Sequence, residues 1–165
     1  MKEGASKKII FFLLGVFGFL LGGKGDAATT VTVKVTVLAA LPCIINDNKP
    51  IDVDFGDEVM TTRIDGVNYS TPIKYTITCV NPQKNGMKLQ VSGTSASFDS
   101  RLLKTDVDGL GIAFRSNESP LALNNWQSFN FPLLPRLAAV PVKQGSKVLP
   151  TGEFTSSATL RVDYQ

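Results

Sequence analysis

Most of this chain alternates apolar and polar residues with a period of two, and this pattern constrains its fold more than any other feature. The alternation is clear from Ile73 to Cys79, and it recurs at Met87–Val91 and at Leu110–Phe114. Asn-Gly, Ser-Gly and Asp-Gly pairs interrupt it. Period two is typical of half-buried strands, and these dipeptides are typical of turns. Because no amphipathic helical stretch of comparable quality is present, the sequence predicts an all-β, antiparallel β-sandwich.

The first residues have the pattern of an export signal. Two lysines precede an uncharged run from Ile9 to Leu21, which is shorter than the about 20 residues that cross a bilayer. Small residues at Gly25 and Ala27 fit a signal-peptidase site, so residues 1–27 are predicted to be a signal peptide that is cleaved after Ala27. Cleavage after Ala28 and a retained membrane anchor are the alternatives.

Export to an oxidising compartment determines how Cys43 and Cys79 are interpreted. Two cysteines in a secreted domain normally pair, so we predict one disulfide that joins two core strands. Closing a loop of this size stabilises the fold by about 4 kcal/mol in the chain-entropy description. The alternative is a reactive or metal-binding thiol, but neither cysteine lies in a CxxC spacing and the chain has no histidine to join it.

Composition excludes several classes of function. The absence of histidine rules out Ser-His-Asp, Cys-His and HExxH chemistry. Seventeen basic residues stand against 14 acidic ones, and the net charge of +3 is too small and too dispersed to indicate a nucleic-acid partner. We therefore expect a protein that is not an enzyme and that uses no cofactor, no metal and no small-molecule substrate.

One strand-like segment stands at each end of the predicted mature chain. From Thr29 to Val37 nearly every residue is β-branched, and no hairpin turn folds the segment back on itself. Its inward side would consist of Val31, Val33, Val35 and Val37. At the other end, the alternation runs from Phe154 to Tyr164, one residue before the terminal Gln165. A sandwich that ends this way leaves an edge and a strip of core uncovered, unless both segments pair within their own domain.

Three motifs together resemble the pilins of the bacterial chaperone-usher pathway. They are Pro42-Cys43 followed by Ile45-Asn46, the run Ile51–Gly56 that includes Phe55, and the ending from Gly152 to Gln165. A penultimate tyrosine and a glycine fourteenth from the end are expected of that family, and they stand here as Tyr164 and Gly152. The resemblance covers essentially the whole predicted mature chain, and it is greatest to the minor subunits and adaptors of P-type pili.

The resemblance implies an immunoglobulin-like β-sandwich that lacks its last strand. Residues 28–40 would form an N-terminal donor-strand extension, and residues 41–165 would form the pilin domain. In this family a periplasmic chaperone lends a strand to the open groove, and the extension of a neighbouring pilin then replaces it. The donor side chains would be Val31, Val33, Val35 and Val37. The acceptor edge that faces the chaperone would comprise Phe154, Ala158, Leu160, Val162, Tyr164 and Gln165, with basic chaperone residues holding the terminal carboxylate.

The function implied by the resemblance is that of a structural minor or adaptor subunit of a fimbria. Such a subunit is exported via the periplasm to a pilus on the bacterial cell surface and supports cell adhesion. Its partners would be the pilus chaperone, the outer-membrane usher and neighbouring pilins. The alternative is a self-complete secreted β-sandwich that binds a carbohydrate or protein ligand. Donor segments of the family commonly carry a glycine at a middle inward position, where this chain has Val35, so either the partner groove is atypical or the register is shifted by one or two residues.

Three further patterns have less specific interpretations. The acidic cluster Asp52, Asp54, Asp57 and Glu58 lacks the EF-hand spacing of a calcium site and is expected to face solvent. Trp126 beside two asparagines is a candidate sugar-stacking platform, but a single tryptophan in a β-sandwich is usually core or rim. The apolar residues Phe129, Phe131, Leu133 and Leu134 are expected to supply core.

Overall fold

The computed structural model describes residues 43–80, 82 and 84–165, and this part of the chain forms strands and two short 3-10 helices at Asn46–Asn48 and Thr61–Arg63. This confirms the predicted all-β class. The strands are β1 (Cys43–Ile45), β2 (Thr71–Ile73), β3 (Ile77–Cys79), β4 (Gly86–Ser92), β5 (Ser95–Ala96), β6 (Asp99–Lys104), β7 (Leu110–Ser116), β8 (Ser119–Leu121), β9 (Gln127–Asn130), β10 (Leu137–Lys143) and β11 (Thr159–Tyr164). Within these described residues no helix is long and apolar enough to cross a membrane.

The strands form three antiparallel sheets. The largest has the order β2-β10-β7-β6-β5, with β8 paired to β7 as well. A second sheet has the order β11-β4-β9, and β1 pairs with β3 in a short two-stranded sheet. Pro141 stands within β10 at a point beyond the end of β2, where β10 has one neighbouring strand and a missing N–H group is tolerated.

The core lies between the two larger sheets. Met87 and Leu89 of β4 are fully buried, and they join Ile112 and Phe114 of β7 in one apolar cluster. The other buried members are Ile77, Val91, Leu103, Leu121, Leu123, Phe129, Leu137 and Ala139. The predicted period-two alternation is therefore correct for the apolar faces of β4 and β7, because their alternate residues enter this cluster.

The predicted strand from Ile73 to Cys79 is wrong as one continuous element. Its first residues belong to β2, which pairs with β10, whereas its last residues belong to β3, which pairs with β1. Between them Tyr75 donates its hydroxyl to the carbonyl of Pro135 at 2.6 Å. The chain crosses from one sheet to another at this point, and an alternating pattern cannot reveal such a crossing because both halves bury the same face.

The predicted disulfide is present. Cys43 of β1 and Cys79 of β3 lie directly opposite each other in the strand pair, and their sulfur atoms are bonded across a sequence separation of 36 residues. The hydroxyl of Tyr164, at the end of β11, donates to Sγ of Cys43 at 3.5 Å. This contact brings the C-terminal strand next to the short β1–β3 sheet.

The predicted signal peptide and the donor extension, with its four valines, lie outside the described residues. The expectation that Leu133 supplies core is wrong, because this side chain is 78% exposed. Its N–H group donates to the carbonyl of Asn130 and closes a turn that directs the side chain outward. Phe129 is buried, and Phe131 and Leu134 pack half-buried against the same core.

Candidate functional site

An apolar groove lies between two segments of the chain, the wall formed by residues 49–55 and the wall formed by residues 154–160. Its cavity measures about 650 Å³. Core side chains of β4, β6, β7 and β10 line its floor, namely Val91, Leu103, Ile112, Phe114, Leu137 and Ala139. A molecule that enters this groove would therefore touch the hydrophobic core directly.

A second cavity of about 760 Å³ adjoins the first. The two share lining residues from both walls, including Val53, Phe55, Phe154 and Thr155. The second cavity extends past these residues to Ile64 and Leu149, which belong to a smaller buried cluster. These two adjoining cavities together form the cleft between the walls.

Long parts of both walls lie outside the strands of the described chain. Residues 49–55 and 154–158 are assigned to no strand, although Val53, Phe55 and Phe154 pack against the core. β11 itself lies at the edge of its sheet, and β4 is the only strand among the described residues with which it pairs. Extended main chain beside an open edge presents N–H and C=O groups to which a further strand can bond.

The predicted C-terminal strand is correct only in part. It was expected from Phe154 to Tyr164, but β11 begins at Thr159, which lies opposite Ser92. β4 ends at Ser92, so the residues before Thr159 have no strand beside them on that side. The upstream half of the predicted strand thus lacks a neighbouring strand, and residues 155–158 are all exposed.

Aromatic residues from the two walls meet across the cleft. The rings of Phe55 and Phe154 lie 5.7 Å apart with an interplanar angle of 36°. Next to each ring stands a glycine-containing turn. Gly56 has a φ of 79° and donates its N–H to Oδ1 of Asp54 at 2.7 Å, and Gly152 has a φ of 131°. Phe55, Gly56 and Gly152, three of the residues that carry the family resemblance, therefore lie together at the second cavity.

The residues predicted for the acceptor edge lie along one side of the groove, in three different settings. Phe154, Ala158 and Leu160 line the first cavity. Val162 and Tyr164 are half-buried against the core and lie beyond that cavity. Gln165 is exposed, and its N–H donates to the carbonyl of Gly86 at 3.1 Å, which fixes the last residue to the start of β4.

Sequence reasoning missed the wall on the other side of the groove. Ile51, Val53 and Phe55 line the first cavity and alternate with exposed aspartates, so this run has a strand-like pattern of its own. That alternation is the sequence feature from which this wall could have been predicted. The acidic residues of the cluster from Asp52 to Glu58 are all exposed, as expected.

Trp126 lies away from the groove, just before β9. Its ring is 41% exposed and has Lys88 Nζ at 5.1 Å and the Arg161 guanidinium at 5.7 Å from its centroid. Lys88 also pairs with Asp163 at 3.4 Å. These cation–π contacts account for the position of the indole at the rim of the sheet.

Comparison with known proteins agrees with this architecture. The family model described as Fimbrial protein matches residues 29–165. The uncharacterized fimbrial-like protein YfcR of Escherichia coli strain K12 is 34% identical over 146 residues, which cover 86% of this chain and 84% of YfcR. The fimbrial adapter PapF of Escherichia coli is 27% identical over 137 residues, which cover 74% of this chain and 80% of PapF. The solved structure of the P pilus adaptor subunit PapF superposes with a TM-score of 0.57 at 24% identity, covering 77% of this chain and 98% of that one.

The fold is thus the immunoglobulin-like β-sandwich of pilus subunits. The chain belongs to the fimbrial protein family, and the resemblance to chaperone-usher pilins is confirmed.

Proposed function

We propose that this chain is a structural minor or adaptor subunit of a chaperone-usher fimbria, that it polymerises by donor-strand exchange and that it supports bacterial adhesion. The observation that carries the proposal is the apolar cleft between the 49–55 and 154–160 walls. Its floor is hydrophobic core, and long parts of both walls lack a strand partner. A cleft with apolar floor and open strand edges fits β-strand addition, since the ladder gives affinity and alternate side chains fill the pockets.

The donor in this proposal is the N-terminal extension, residues 28–40, which follows a signal peptide at 1–27 and precedes a pilin domain at 41–165. Val31, Val33, Val35 and Val37 alternate with polar residues, so all four would face a groove floor. Burial of each valine contributes about 1.5–3 kcal/mol, and the backbone ladder adds to this. Completion of the fold would therefore drive assembly without a chemical energy source.

The partners follow from the same mechanism. Before assembly, a periplasmic chaperone would occupy the groove, pair with the edge of β11 and bind the terminal carboxylate of Gln165. The outer-membrane usher and neighbouring pilins would then receive the subunit at the cell surface. The open edge supports chaperone binding before assembly. An uncovered strand edge beside exposed core promotes aggregation until another polypeptide covers it.

The test is to express the full chain in a bacterial periplasm with and without its cognate chaperone. We expect soluble protein only with the chaperone, as a one-to-one complex. That complex is then incubated with a synthetic peptide of residues 29–39, and chaperone release is followed by native mass spectrometry. The control peptide carries aspartate at positions 33 and 35, and we expect it to release no chaperone.

Two outcomes would overturn the proposal. One is a stable, soluble monomer formed without the chaperone, since that chain would be a self-complete sandwich and the exposed Trp126 would become the place to look for a ligand. The other is equal chaperone release by the two peptides, because strand exchange requires the valine side chains to fill the groove.

A further inference from the structure

The 154–160 wall is fastened to the turn that follows β6. Thr155 donates its main-chain N–H to Oδ1 of Asp106 at 2.8 Å, and its hydroxyl donates to Oδ2 of the same carboxylate at 3.0 Å. The N–H of Asp106 donates back to the carbonyl of Thr155 at 3.1 Å. The hydroxyl of Ser156 donates to the carbonyl of Lys104 at 2.5 Å. These bonds hold a segment that has no strand partner of its own.

The turn that carries Asp106 is itself firmly built. Thr105 is 3% exposed, and its hydroxyl hydrogen-bonds with the carbonyls of Val107 at 3.0 Å and of Leu110 at 2.9 Å. The N–H of Val107 donates to the same hydroxyl oxygen at 3.2 Å. A buried, satisfied hydroxyl at the centre of a turn fixes its shape. Asp106 is therefore presented by a rigid part of the fold.

The direction of these bonds determines which main-chain groups of the wall face the groove. Both main-chain groups of Thr155 are directed to the turn. In an extended chain the N–H and C=O groups of successive residues point to opposite sides, so those of Phe154 and Ser156 are directed away from the turn.

We infer that Asp106 is a positioning residue for strand exchange, which holds Thr155 so that Phe154 and Ser156 present their main-chain groups to the incoming strand. This inference rests on the proposed function and adds a residue to it. The hydrogen bonds from Thr155 also lower the pKa of Asp106, so the carboxylate remains a charged acceptor at neutral pH. Without Asp106, Thr155 would lose both hydrogen bonds to the carboxylate that fastens the 154–160 wall to the turn.

The test measures uptake of the residue 29–39 peptide by chaperone complexes of four variants and the wild-type chain. We expect Asp106→Ala to slow uptake about tenfold, since it removes the two hydrogen bonds that Thr155 donates to a charged carboxylate. Asp106→Asn keeps an acceptor for the Thr155 N–H and is expected to restore most of the rate. Thr155→Val removes only the hydroxyl bond to Asp106, so its rate of peptide uptake should lie between those of the two Asp106 variants.

Asp108→Ala is the matched control, because Asp108 stands in the same turn and pairs with Lys147 without touching the wall.

Hydrogen exchange gives a second readout. We expect faster exchange at residues 154–158 in Asp106→Ala, with unchanged protection of Met87–Val91 in the core. Equal peptide uptake by the Asp106→Ala and Asp108→Ala variants would overturn the inference about Asp106 but not the proposed function. If the wild-type chain takes up neither this peptide nor the extension peptide of a neighbouring fimbrial subunit, the proposed function fails instead.

Discussion

At the scale of single residues, the two motif glycines are explained by backbone conformation. Gly152 has a φ of 131°, and a Cβ placed there would meet no atom within 4 Å. Gly56 is similar, with a φ of 79° and open space around it. Side chains are therefore disfavoured at both positions by the backbone and not by crowding. The sequence motif identified these residues, but only the structure gives this reason.

Tyr75 provides a prediction about stability and pH. We expect Tyr75→Phe to lower the free energy of unfolding by about 0.5–1.5 kcal/mol, because it removes the 2.6 Å hydrogen bond to the Pro135 carbonyl. Burial raises the pKa of Tyr75 to about 12 from 10.0. The neutral phenol is the favoured form in the folded state, so its stabilisation is complete below pH 10 and is lost as the pH rises through about 12.

Urea unfolding of the peptide-bound chain, together with absorbance titration of the phenols, checks this prediction. Tyr69→Phe is the control, since that hydroxyl only accepts an exposed bond from the Met60 N–H at 3.1 Å. The prediction fails if the wild-type titration shows no phenol that ionises later than in the Tyr75→Phe variant.

At the scale of elements, alternation predicts which face of a strand is buried but not where its partner ends. The C-terminal alternation extends from Phe154 to Tyr164, yet β11 starts at Thr159 because β4 stops at Ser92. The Ile73–Cys79 pattern covers two strands in different sheets for a related reason. Strand limits are set by neighbours that lie far away in sequence, so a local pattern cannot contain them.

The disulfide gives a prediction at this scale. It joins β1 to β3 across a sequence separation of 36 residues. β1 itself is only three residues long. We expect the double variant Cys43→Ala, Cys79→Ala to lose about 2–5 kcal/mol of stability, as is typical when a native disulfide is removed from a small secreted domain. Chemical unfolding of the peptide-bound chain, with and without a reductant, measures this loss. A reductant that leaves the wild-type unfolding midpoint unchanged would contradict the prediction.

At the scale of the whole molecule, the chain combines a cleft that reaches its own core with a valine-rich N-terminal sequence at residues 29–37. These two features give the subunit separate donor and acceptor functions in the proposed mechanism. The Val33→Asp, Val35→Asp variant should therefore still bind the residue 29–39 peptide in its own groove. It should fail to join the subunit that normally receives its extension, because charged side chains cannot enter an apolar groove.

Peptide uptake and co-purification with neighbouring fimbrial subunits measure the two functions independently. Thr32→Asp is the matched control, since the alternation predicts that Thr32 faces away from the four valines, so this variant should retain both functions. If the double valine variant still co-purifies with its neighbours at the wild-type level, these valines are not the donor side chains.

The sequence by itself determined the all-β class, the buried faces of β4 and β7, the cysteine pair and the family. Each of these depends on residue type and short-range order, which are local properties of the chain. Only the tertiary structure decided the opposite wall at Ile51–Phe55, the start of β11 and the bond between Asp106 and Thr155. These features join residues that are distant in sequence, and their positions depend on how the sheets pack around a common core.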